Sequence, residues 1–193
     1  MYHDLPRDAS FWQFLFSVDE DLARTTKSRG CACGGRLHGA KYPRKPRGAG
    51  DLPEDYHSRL SFCCDRDGCR KRTTPPSVRY LGRKVYLGAI VILVAAMRQG
   101  PAPRRVRELT QLFGADRRTI ARWQVFWREH FPQTPFWKAA RGRFVRLLLA
   151  DLPRALLEAF AHQAADAREQ WKQLLEFLSP ITITGALLIE GLS

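Results

Sequence analysis

Apolar residues recur at three- and four-residue steps in the first segment, SFWQFLFSVDEDLART, at Phe11, Trp12, Leu15, Val18 and Leu22. The pattern predicts an amphipathic helix, capped from Asp8–Ser10, with Asp19, Glu20 and Asp21 on its polar face. Residues 27–58 show no helical period and are rich in Gly, Pro and bases. HSRLSFCC (57–64) then reads as one short strand-like run. CRKRTTPPSVRYLGRKV (69–85) reads as an extended basic stretch, because Pro75–Pro76 excludes a helix.

From Lys84 the period becomes helical. Segments Val85–Met97, Pro103–Phe113 and Asp116–His130 follow, separated by Gly100–Pro103 and Gly114. Thr134–Pro135 supplies a cap and first position for a short helix, and Pro153–Ala161 and Ala164–Leu178 predict two more. The last run, ITITGALLIEGLS, fits either a strand or an apolar tail. The expected fold is mainly α with a small β zinc ribbon: a helix-turn-helix bundle plus C-terminal helices. It divides into an N-terminal amphipathic helix (1–26), a basic ribbon-like module (27–83), a helix-turn-helix unit (84–131) and a C-terminal helical extension (132–193).

The longest apolar run, VYLGAIVILVAAM, has 13 residues where a bilayer needs about 20, so it predicts a buried helix and no membrane association. The opening MYHDLPRDAS has neither a basic n-region nor an apolar h-region. The expected location is the cytoplasm.

Charge changes the picture further. The 193 residues carry a net +13, but both ends are acidic: residues 1–25 and 151–193 are each −3. Residues 26–150 hold 27 bases against eight acids, so a net +19 is confined to the middle of the chain. Such a block seeks phosphate, on nucleic acid or an anionic surface. Twenty-five of the 32 bases are Arg; Arg suits bidentate phosphate and guanine contacts, and a GC-rich genome would also favour its codons.

The five cysteines fall in two clusters, Cys31/Cys33 in CACGG and Cys63/Cys64/Cys69 in CCDRDGC. Paired cysteines flanked by glycines suit a tetrahedral Zn²⁺ site between two tight turns. The favoured ligand set is Cys31, Cys33, Cys64 and Cys69, with Cys63 turned to the ribbon's apolar side, since adjacent strand residues face opposite ways. C-x-C is tighter than the common C-x₂-C. Reduced thiols without metal, or a ligand from His38 or His57, are the alternatives.

The run VRELTQLFGADRRTIARW (106–123) meets each constraint of a helix-turn-helix. Gly114 is the turn, Thr110 the small residue, and Leu109, Phe113, Ala115, Ile120 and Trp123 the apolar set; Asp116 caps the second helix. That helix would present Arg117, Arg118, Thr119, Ala121 and Arg122 to a major groove. Arg104, Arg105 and Arg107 on the preceding helix would contact phosphate. Trp123, Phe126 and Trp127 fit core rather than a base-stacking platform. PRKPRG, with Arg44, Lys45 and Arg47, reads first as an ordinary basic loop, and its resemblance to an AT-hook minor-groove arm is the alternative.

A paired-cysteine ribbon, a basic CRKR strand, a buried helix and a helix-turn-helix ending in TIARW resemble, over about residues 28–130, the N-terminal DNA-binding part of bacterial insertion-sequence transposases. The resemblance implies zinc at the four cysteines and DNA contact through 117–122. In that family an RNase H-type catalytic domain follows. About 60 residues follow the motif in this sequence, too few for that fold, and no convergent acids or nucleophile–base pair stand out. The expectation is therefore a non-catalytic, metal-binding accessory or regulator of mobile-element origin that binds double-stranded DNA. A transposase or a second copy of the chain is the protein partner this admits. The competing readings are a subunit of an active transposase or nuclease completed by a partner chain, and an RNA-binding zinc-ribbon protein.

Overall fold

The computed structural model describes residues 9–47, 52–81, 87–95, 115–144 and 147–183. It is mostly helical with a small antiparallel β part. Helix α1 (Ala9–Arg29) is followed by strands β1 (Leu37–Gly39), β2 (Tyr42–Pro43), β3 (Ser58–Arg59), β4 (Phe62–Cys64) and β5 (Arg72–Thr73). Then come α2 (Gly88–Ala95), α3 (Arg117–Val125), α4 (Pro135–Ala140), α5 (Arg154–Ala161) and α6 (Ala167–Leu178). The run expected as one strand is two, β3 and β4, because each serves a different sheet: β3 pairs with β2, while β4 is the centre of β1-β4-β5.

Two apolar cores result. The larger gathers Phe11, Trp12, Leu15 and Val18 of α1, Tyr56, Val78, Tyr80 and Leu81, and residues of α2 and the later helices. Apolar on every side, α2 buries Ala89, Ile90, Val91, Ile92 and Ala95 and packs against α3, α5 and α6. The smaller core is the ribbon's own: Ala23, Cys31, Leu37, Leu60, Phe62 and Cys64. Helix α1 therefore serves both, through Phe11–Val18 at one end and Ala23 at the other.

Asp19 departs from its expected place on a polar face. It is fully buried, as its spacing from Leu15 and Ala23 along one helix face requires. Its carboxylate accepts from Ser77 Oγ (2.6 Å), the Val78 amide (2.6 Å) and Arg79 Nε (2.7 Å). The Arg79 guanidinium also donates to the carbonyls of Asp55 and Ser58 and lies 4.6 Å from the Phe16 ring centroid and 4.9 Å from that of Tyr56. This network joins α1 to the segment leaving the ribbon. Arg59 is also buried, so two bases of the central block face inward rather than toward phosphate.

Asp116 caps α3, its side chain accepting from the Thr119 amide at 2.7 Å. That amide first, and then the Thr119 hydroxyl, hold the Asp116 carboxyl below its ordinary value. A carboxylate lowered on folding stabilises above its unfolded pKa, and the contribution fades as pH falls through the lowered value. After Val125 the expected α-helix to His130 widens into a π turn, Phe126–His130. Trp127 of this turn packs against Phe131 just beyond it, with ring centroids 4.7 Å apart and planes tilted by 52°. Thr134 caps α4, accepting from the Trp137 amide at 3.1 Å. Replacing Thr134 with Ala should cost about 1 kcal/mol, read as a lower urea midpoint.

The C-terminal helices α5 and α6 pack on each other and on α2. Residues Ser179–Thr182 form a 3₁₀ turn whose Thr182 hydroxyl accepts from the Ser77 amide at 3.0 Å. Of ITITGALLIEGLS, residues 184–193 lie outside the described residues. Among the described residues, no helix is long and apolar enough to cross a membrane.

Candidate metal centre and nucleic-acid interface

Two tight turns build the cysteine site. In the first, the Cys31 amide donates to the Gly35 carbonyl (3.0 Å) and the Gly34 amide to the Cys31 carbonyl (2.8 Å). Gly34 sits at φ +83°, a conformation cheap only for glycine. In the second, the Cys69 amide donates to the Arg66 carbonyl (3.1 Å), with Gly68 also at φ +83°. Asp65 fastens the turns together: its Oδ1 accepts from the Arg36 amide at 2.9 Å, its amide donates to the Arg36 carbonyl at 3.0 Å, and its Oδ2 lies 3.3 Å from His38 Nε2.

The sulfurs of Cys31, Cys33, Cys64 and Cys69 consequently all lie within 4.8 Å of one another. Cys31 and Cys69 Sγ are 3.8 Å apart, Cys33 and Cys64 Sγ 3.5 Å. A tetrahedron of sulfurs about 2.3 Å from a central ion has edges of about 3.8 Å. Backbone gives way to sulfur at Gly35, where a Cβ would fall 2.5 Å from Cys64 Sγ. The donor set and spacing fit a metal ion.

Cys33 and Cys64 are shifted in opposite directions. The Gly35 amide, then the Cys69 and Cys64 thiols, lower Cys33 to about 6. At Cys64 the Arg66 amide acts the same way, but burial and the three neighbouring sulfurs outweigh it and push the thiol up to about 12. Crowded thiols cannot all ionise without a cation among them, and a metal ion is such a cation.

The fifth cysteine stands apart, though not where expected. Phe62 and Cys64 face the ribbon core and Cys63 faces away, half-buried, its thiol donating to the Arg70 carbonyl at 3.4 Å. The alternation that excludes Cys63 from the ligand set also excludes it from the apolar side. His38 is turned to Asp65, and His57 is exposed; neither is in the sulfur group.

Helix α3 buries Ile120 and Trp123 and exposes Arg117, Arg118, Ala121 and Arg122. Thr119, expected on the outer face, is buried instead; its hydroxyl accepts from Arg122 Nη2 at 3.3 Å and so orients that guanidinium. Phe126 and Trp127 are core, as expected. Arg104, Arg105, Arg107, Leu109, Thr110, Phe113 and Gly114 lie outside the described residues.

The PRKPRG run is not a free arm. The Arg44 amide donates to the His57 carbonyl at 2.7 Å and the Arg47 carbonyl accepts from the Leu87 amide at 3.0 Å, which tie it to the sheet and to the start of α2. Lys45 and Arg47 are exposed, and Arg44 is half-buried. The sequence pattern did not reveal the Asp19–Arg79 network, although Asp19 falls four residues from both Leu15 and Ala23. Compared with protein-family models, curated proteins and solved structures, the chain matches none.

Proposed function

We propose that the chain is a zinc-binding, helix-turn-helix DNA-binding protein of mobile-element origin, acting as a non-catalytic accessory or regulator. The observation that carries the reading is α3: a capped helix with an apolar inner face and an outer row of Arg117, Arg118 and Arg122. Arg forks pair with guanine edges in a major groove, and an N-terminal cap fixes how such a helix enters it. The resemblance of residues 28–130 to transposase DNA-binding parts supplies the mobile-element origin.

Zinc is the metal this reading assigns to Cys31, Cys33, Cys64 and Cys69. Four protein sulfurs leave no open position, which is the arrangement of a structural ion rather than a catalytic one. The ion would fix the two turns and with them the ribbon.

Replacing Arg118 and Arg122 with Ala should cost about 1–3 kcal/mol for each base pairing removed and relax sequence preference. Fluorescence anisotropy on a selected and a random duplex reads both. Equal weakening on the two duplexes would remove the base-reading role. Nicking of duplex DNA by the pure protein with Mg²⁺ would favour the nuclease-subunit reading instead.

A further inference from the structure

We propose that the ribbon carries a phosphate-binding site of its own, formed by Arg44 and Arg72 over Tyr42, which holds the backbone of duplex DNA. This rests on the DNA-binding reading and adds a second point of attachment to it. Strands β2 and β3 pair Tyr42 with Arg59. Opposite residues in a ladder, and residues two apart on a strand, share a face, so Tyr42, Arg44 and Arg59 lie on one side of the pair. Arg72 arrives from β5. The guanidinium carbons of Arg44 and Arg72 lie 5.5 and 5.7 Å from the Tyr42 ring centroid.

Two guanidiniums thus share one ring. Among the described residues no ion pair joins Arg44, Arg59 or Arg72 to an acid. Arg59, only 2% exposed, spends Nη2 on the Pro75 carbonyl at 2.7 Å; its Nη1 and the Arg44 Nε are buried without a hydrogen-bond partner. Like charges held around one ring repel unless an anion lies among them.

The geometry also selects the anion. With two guanidiniums over it, the Tyr42 ring is poorly placed to stack a base. Guanidinium forks match the oxygens of a phosphodiester. Because Arg44 and Arg47 are tied through their backbones, the segment serves as a fixed support that positions the duplex rather than an arm that reads a minor groove.

The test compares the full chain with R44Q, R72Q and R44Q/R72Q, and with R72K as the charge-preserving control. Binding is followed by anisotropy against salt on two unrelated duplexes. The slope of log K against log salt should become shallower by about one for each phosphate no longer neutralised. Affinity should fall equally on both duplexes, and R72K should keep the wild-type slope. Unchanged affinity and slope in R44Q/R72Q, with wild-type protein binding DNA, would overturn this site and leave the α3 reading standing. Failure of the wild-type protein to bind any duplex at low salt would overturn both. Tighter binding of a structured RNA competitor that depends on Arg44 and Arg72 would overturn the assignment to DNA.

Discussion

C31S and C64S variants are expected to lose metal and ribbon structure together, whereas C63S should keep both. The four clustered sulfurs close one site and Cys63 faces away from it. A structural zinc ion in a small ribbon is worth about 10–16 kcal/mol of apparent binding free energy, and that energy is folding energy. Among the described residues, Ala23, Leu37, Leu60 and Phe62 lie beneath the ribbon besides cysteines, a core too small to hold two glycine turns unaided. Metal content by elemental analysis, with unfolding followed by circular dichroism, reads the result. Retention also needs thiolates, so acidification should release the ion. Equal metal retention in all three variants would remove the site.

D19A should lower global stability by about 3–5 kcal/mol, because it leaves the Arg79 guanidinium buried and uncompensated. The effect reaches beyond one pair. Asp19 also holds Ser77 and the Val78 amide, and Ser77 in turn is held by Thr182 near the other end of the described chain. The double variant D19L/R79M should recover much of the stability, since an apolar pair of similar volume avoids desolvating two charges. Urea unfolding measures both. A D19A midpoint within experimental error of wild type would mean that the network contributes nothing to stability.

What the sequence revealed, and what it hid, divides along physical lines. Local chemistry was legible: Asp116 and Thr134 cap the helices that begin beside them. Cysteine spacing and flanking glycines located the four-sulfur cluster. Misplacements arose wherever tertiary packing overrode local polarity. Asp19 and Arg79 are charged residues in polar-looking runs, yet each supplies the partner that lets the other be buried. Thr119 lies among exposed arginines but turns inward beneath Arg122. The split of the β3–β4 run was hidden because strand pairing depends on distant segments, here Tyr42–Pro43 and Leu37–Gly39. The pairing of Arg44 with Arg72 was hidden for the same reason: the two meet only once two sheets have formed around Tyr42.

The proposed function stands or falls on the arginine face of α3 as a reader of duplex DNA, and selection of bound sequences from a random duplex pool probes that face without assuming a target. Wild-type protein should enrich a defined site that contains guanine, with binding that weakens steeply as salt rises. R118A/R122A protein should fail to enrich the same site. Recovery of no common sequence by wild-type protein, or identical enrichment by R118A/R122A, would refute the assignment.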